Sequence, residues 1–93
     1  MINLEQRTSN EINKDLAGRV AKLRRRRKLS QQALAQKSGV SFGSVKRFEQ
    51  TGDISLQSLT KIAIALEVEG ELECLFSQVP YESLEELLNE QGR

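Results

Sequence analysis

The residues best suited to chemistry in this 93-residue chain sit in one short run, SFGSVKRF from Ser41 to Phe48. Successive residues of a helix turn by about 100°. Val45 and Phe48 therefore share one face. The cations of Lys46 and Arg47 fall on a face those two leave free, the ring of Phe42 lies off the buried face, and the hydroxyls of Ser41 and Ser44 sit at the head of the helix. Such a face suits nucleic acid. A guanidinium offers a two-pronged fork to guanine O6 and N7, hydroxyls and ammonium groups bond phosphates, and an aromatic ring packs on a thymine methyl. It suits no bond-breaking chemistry. The chain has no His and a single Cys, Cys74. Imidazole acid–base catalysis is excluded, and a zinc site would have to be built mostly from carboxylates. The other nucleophile candidates are capping hydroxyls and one thiol, which form no catalytic constellation. We expect no enzyme, no metal and no cofactor.

Such a face must be presented by a helix held firmly from behind. The window Gln31 to Gln50, QQALAQKSGVSFGSVKRFEQ, supplies the support as two short helices joined by a tight turn. The two helices of such a motif cross steeply and nearly touch. Close contact needs a small residue midway along the first, and Ala35 is there. The turn needs a left-handed residue four positions on, and Gly39 is there. Leu34, Val40, Val45 and Phe48 are the apolar positions that point inward. Ser41 caps the second helix and sits where a phosphate would meet free backbone N–H groups.

Further elements follow from periodicity and caps. Thr8 and Glu11 have capping-box spacing, and Ile12, Leu16, Val20 and Leu23 then recur as one helical stripe running to about Lys28. Ser30 caps the helix that Gly39 ends, and Gly52 ends the helix that Ser41 begins. Ser55 caps a fourth helix with Leu56, Leu59, Ile62, Ala63 and Leu66 inward. A fifth, short helix spans about Glu71 to Phe76, with Leu72, Leu75 and Phe76 apolar. After Val79-Pro80, a second capping box at Ser83 and Glu86 opens an amphipathic segment carrying Leu84, Leu87 and Leu88, too short to stand alone. We expect these leucines to dock on the parent domain or across a dimer, and Cys74 to be a small buried apolar residue. The fold class is all-α, with three parts: a flexible N-terminal arm (1–9), a helix-turn-helix domain (10–77) and a C-terminal helical appendage (78–93).

The net charge of +1 hides a segregation. Residues 14–50 hold eleven basic residues and two acidic ones, a net of +9. Residues 51–93 hold two basic and nine acidic ones, a net of −7. One part of the chain can face a polyanion while the other is repelled by it. Five of the cations form the run Arg24 to Lys28, which cannot all point one way on a helix. The longest apolar run, Ile62 to Leu66, is far too short to span a membrane. With no apolar leader at MINLEQRTSN, the cytoplasm, in association with the nucleoid, is the expected location.

The run LRRRRKLSQQALAQKSGVSFGSVKRFEQTGDISLQSLTKIAIAL resembles the Cro/cI-type (XRE) helix-turn-helix family of bacterial and phage regulators. The pattern LS-Q-x-x-LA-x-x-x-GVS-x-x-x-V-x-x-FE carries the likeness, which extends over about residues 16–76. It implies a five-helix, lambda-repressor-like DNA-binding domain. Within it, GVSFGSVKRFEQTGDISLQSLTKIAIALEV looks like the HipB-like antitoxins that accompany HipA-type kinases. The resemblance implies that Gln31 bonds a phosphate and braces the reading helix, with Gln32 beside it. It implies that Ser41, Phe42, Gly43, Ser44, Lys46 and Arg47 face the groove. Family members often carry Gln, Asn or Arg where Phe42 and Gly43 stand, so base reading is expected to shift toward Lys46 and Arg47. Arg24 and Glu49 occupy places where several phage repressors of the family hold a buried ion pair. The implied protein is a transcriptional repressor, homodimeric on a palindromic double-stranded operator, and the HipB likeness implies a second role as the antitoxin partner of a HipA-type kinase toxin. The alternative is a protein-interaction adaptor that uses the motif only as scaffold.

Overall fold

In the computed structural model, which describes residues 7–78 and Leu88, the described residues form five helices and no strand. Each of the first four helices starts on a hydroxyl cap. Thr8 Oγ1 accepts from Glu11 N at 3.2 Å and opens α1 (Ser9–Arg26). Ser30 Oγ accepts from Ala33 N at 3.0 Å and opens α2 (Gln31–Ser38). Ser41 and Ser55 do the same for α3 (Phe42–Thr51) and α4 (Leu56–Ala65), each at 3.1 Å. Each cap satisfies an N–H that the helix leaves unpaired, worth about 1 kcal/mol. α5 (Glu69–Glu73) has no side-chain cap. The Thr8 box closes differently from the usual reciprocal pattern: the Thr8 hydroxyl donates to the Glu11 carboxylate at 3.0 Å. Arg7, just before α1, pairs with Asp15 and donates to the carbonyl of Glu11.

α3 packs on α1 and α2, α2 on α4, and α4 on α5. Leu34, Val40, Val45, Phe48, Ile62 and Leu66 fill the centre and are almost wholly buried. α1 enters this core through Ala17 and also buries Ala21, while Leu16, Val20 and Leu23 are only half-buried. The reason is close approach. Gly52 sits so near the α1 backbone that a Cβ there would lie 2.7 Å from the Asn13 carbonyl carbon and 2.8 Å from Lys14 N. With a φ of 82° as well, this position admits glycine on two separate grounds.

Several expectations are corrected. Ile12 is exposed, because α1 turns its alanines rather than the start of its aliphatic stripe to α3. Leu56, placed inward by periodicity, is 70% exposed: it is the first residue of α4, and Ile54 packs against the core in its stead. α5 begins and ends earlier than the Glu71–Phe76 pattern suggests, so Leu75 and Phe76 lie beyond it and are exposed. Cys74 caps that helix and is exposed rather than buried. α1 stops at Arg26, short of Lys28. There Leu29 N bonds Arg24 O at 3.1 Å and Lys28 N bonds Arg25 O at 2.9 Å, the two closures of a Schellman turn. Lys28 takes the left-handed position at φ 59°, as Glu67 does after α4 at φ 62°. The expected C-terminal helical appendage (78–93) lies, apart from Gln78 and Leu88, outside the described residues.

Candidate nucleic-acid interface

α3 is amphipathic in the way a reading helix must be. Val45 and Phe48 are fully buried against α1 and α2, whereas Ser41, Phe42, Gly43, Ser44, Lys46 and Arg47 are all exposed. The turn that aims it is short. Gly39 closes α2 at φ 77° with its N–H on Ala35 O, and Val40 drops into the core. Ser38 stiffens the link: its hydroxyl donates to Ala35 O at 3.3 Å and accepts from Val40 N at 3.2 Å. Phe42 is 41% exposed at the head of the helix, off the face that Val45 and Phe48 define. Gly43 has open space around it, so nothing within the chain demands a glycine there. The Ser41 hydroxyl donates to Ser44 Oγ at 2.8 Å, tying two of the exposed hydroxyls together.

The other end of α3 is held by an ion pair. Arg24 Nε donates to Glu49 Oε2 at 2.8 Å, and its Nη2 donates to Oε1 at 2.9 Å, a two-pronged contact with side chains 11% and 7% exposed. Gln31 Nε2 adds a third bond to Glu49 Oε1 at 2.9 Å. Arg24 Nη1 reaches the Leu29 carbonyl at 2.8 Å, just past the Schellman turn. One carboxylate thus joins α1, α2 and α3. Burial alone would push the Glu49 carboxyl up, but the hydrogen bonds from Arg24 and Gln31 and the charges of Arg24 and Arg25 outweigh it and hold its pKa below the usual carboxylate range. The hydrogen bond to Glu49 raises the Arg24 pKa in turn. Gln31 therefore spends one amide donor inside the protein, which leaves its second N–H for a phosphate. Gln32 is exposed one position on.

Arg47, on the opposite side of the same helix, is partnered too. Its Nη2 lies 2.9 Å from Asp53 Oδ2, with both side chains largely exposed. The pair borders a polar cleft between the start of α1 and the end of α3, lined by Asn10, Asn13, Lys14, Gln50 and Thr51. Sequence reasoning missed this corner. Its signal was Gly52, read as a helix stop and not as the residue that lets α3 close onto Asn13 and Lys14. Of the basic run, Arg24 turns inward, and Arg25, Arg26, Arg27 and Lys28 stay exposed. Among the described residues no group of His, Cys, Asp and Glu is placed to hold a metal ion, and no helix is long and apolar enough to cross a membrane.

A helix-turn-helix family model matches residues 20–72, which include all of α2, α3 and α4. No curated protein and no solved structure matches the chain.

Proposed function

The chain belongs to the Cro/cI-type helix-turn-helix family of DNA-binding transcription regulators, and from that premise we propose that it is a repressor, acting as a homodimer on a palindromic operator. The observation that carries this reading is the contrast between the faces of α3: buried at Val45 and Phe48, bare at every position from Ser41 to Arg47 that a groove would meet. Two copies would set two such helices about 34 Å apart, one helical turn of DNA. Bound there, the dimer would exclude polymerase from an overlapping promoter.

The labour divides by chemistry. Gln31, Gln32, Ser41 and one or two of the exposed arginines after Arg24 hold phosphates and set register, which carries no sequence information. Phe42, Ser44, Lys46 and Arg47 meet base edges. Gly43 keeps the head of α3 slim where the backbone comes closest. Arg47 is the residue assigned to a guanine, a contact worth roughly 1–3 kcal/mol of discrimination. Its bond to Asp53 is no obstacle, because an exposed pair contributes at most about 1 kcal/mol. The likeness of residues 39–68 to HipB-like proteins extends the proposal to an antitoxin that represses its own operon and holds a HipA-type kinase. Finding a kinase reading frame beside this one would support that extension, and finding none would count against it.

Salt titration tests the central reading. A DNA binder loses affinity linearly in log salt, with a slope near −0.9 per phosphate neutralised. Binding to promoter DNA that is sequence-independent and indifferent to salt would sink the repressor and favour an adaptor that keeps the motif as scaffold.

A further inference from the structure

A groove runs between α1, α4 and the α5 region, away from the contacts that hold α3. Val20 and Leu23 of α1, Leu56 and Leu59 of α4, and Leu72 and Leu75 form its apolar surface. Leu56 and Leu75 are exposed within a single copy. The rim is basic: Arg19, Lys22 and Arg26 stand along it against one carboxylate, Glu71. The chain leaves α5 at the lip of this groove. Leu75 lines it, Phe76 next to it is 86% exposed, and fifteen residues follow Gln78.

Those fifteen residues complement the groove. They carry Leu84, Leu87 and Leu88 at helical spacing, and Glu82, Glu85, Glu86 and Glu90 against the single cation Arg93. Leucines meet an apolar floor, and four carboxylates meet three rim cations. Leu88 is helical and 57% exposed, so more than half of its surface is open to a partner. From Gln78 to Leu84 an extended chain reaches about 20 Å, enough to cross to a neighbour.

We propose that the α1/α4/α5 groove receives residues 81–90 of a second copy of this chain, and that the second copy's groove receives the first one's segment in return. This rests on the homodimeric reading above and names its interface. Reciprocal exchange is isologous, so it closes at two copies and leaves no open end for further growth. It buries the exposed leucines of both surfaces and neutralises the rim. It also places the acidic segments on α1, α4 and α5, leaving the α3 surface bare for DNA.

Sedimentation of the full chain at micromolar concentration tests the exchange, beside a chain ending at Gln78. The full chain is expected to be a dimer. The shortened chain is expected to be a folded monomer by circular dichroism, with self-association weakened at least about a hundredfold by the loss of several buried leucines. Charge reversal then separates this occupant from others. R19E/K22E and E85K/E86K chains each carry like charges on groove and segment, so each alone is expected to be monomeric. Mixed, every groove meets a segment of opposite charge, and the dimer returns. A monomeric full chain, a dimeric shortened chain, or a mixture that stays monomeric overturns the proposal; a monomeric full chain in which Leu88 is protected assigns the groove to the chain's own segment. DNA binding is read separately on single half-sites, which the monomeric variants should still bind in a salt-dependent way. Loss of that binding would count against the repressor and not against the groove.

Discussion

Two ion pairs meet the last turns of α3, and they are almost equal in length. Arg24–Glu49 closes at 2.8 Å and Arg47–Asp53 at 2.9 Å. Distance does not distinguish them, but surroundings do. Glu49 is nearly buried, is gripped by two arginine nitrogens and Gln31, and joins three helices. Arg47 and Asp53 stand in solvent and join α3 to the loop just after it. Two positions along a helix correspond to about 200° of rotation, which puts Arg47 and Glu49 on opposite sides of α3. One side fixes the helix, and the other is free to trade its partner for DNA. An ion pair contributes by what its loss would strand, and only the buried one would strand a charge.

The largest test removes Glu49. Glu49→Ala leaves the Arg24 guanidinium and the Gln31 amide unpaired in a closed site, at a cost of roughly 3–5 kcal/mol. In a domain of this size each kcal/mol is about 4–8 °C, so thermal melting should fall by more than about 10 °C. An unchanged melting temperature would erase the contrast. The same pair sets an acid limit. A carboxyl whose pKa is lowered by folding contributes stability above its unfolded value, about 4.3 for Glu, and loses it as pH falls through the lower folded value. The native chain should therefore lose more stability below about pH 4 than Glu49→Gln, which has no charge to lose; parallel pH–melting curves for the two would contradict this.

Next in size is Gly52→Ala. A Cβ would be driven into the backbone of Asn13 and Lys14 in a left-handed conformation. Overpacking and the left-handed penalty together suggest a loss of about 2–4 kcal/mol, read by urea titration. A loss below about 1 kcal/mol would mean that α1 can step back and that the α3 end is less tightly placed than the buried pair implies.

The exposed pair is probed through DNA, with smaller effects. Arg47→Ala should leave folding within about 0.5 kcal/mol and cost roughly 1–3 kcal/mol on the preferred operator. Base preference should relax at one position per half-site. A selection experiment on randomised half-sites reads this, and a loss equal on all sequences would make Arg47 a phosphate contact. Lys46→Ala is the companion, expected to relax preference at a different position; a loss equal on all sequences would make Lys46 a phosphate contact instead. The smallest effect belongs to Asp53→Asn, which releases Arg47 and removes a carboxylate from the interface. Affinity should rise by a few-fold, the scale of an exposed pair, and stability should hardly move. Weaker binding would show that Asp53 orients Arg47 rather than competing for it.

The helical plan was legible because its signals are local. A serine before each of α2, α3 and α4 and a glycine after α2 and α3 act within one turn of chain, so their spacing predicts helix ends that the structure reproduces to the residue. The inward set Leu34, Val40, Val45 and Phe48 was equally clear, because period and burial agree there. Legibility failed where a neighbour decides. α1 offers a better aliphatic stripe than the alanines it buries, and only the close approach at Gly52 makes small residues the fitting ones. Lys28 and Glu67 carry no turn signature, yet packing on both sides places them at positive φ. Leu56 and Phe76 are apolar by type and exposed by position, and the periodicity of one chain has no means of marking a face meant for another.

By itself, then, the sequence determined the five-helix order, the caps, the central core and the bare face of α3, because hydrogen bonds within a turn and the 3.6-residue period are encoded residue by residue. Tertiary structure decided which arginine of the basic run turns inward, what Gln31 holds, how Arg47 is partnered and which leucines remain open. Those outcomes depend on which side chains from distant segments arrive at the same point, and on whether water is still there when they meet.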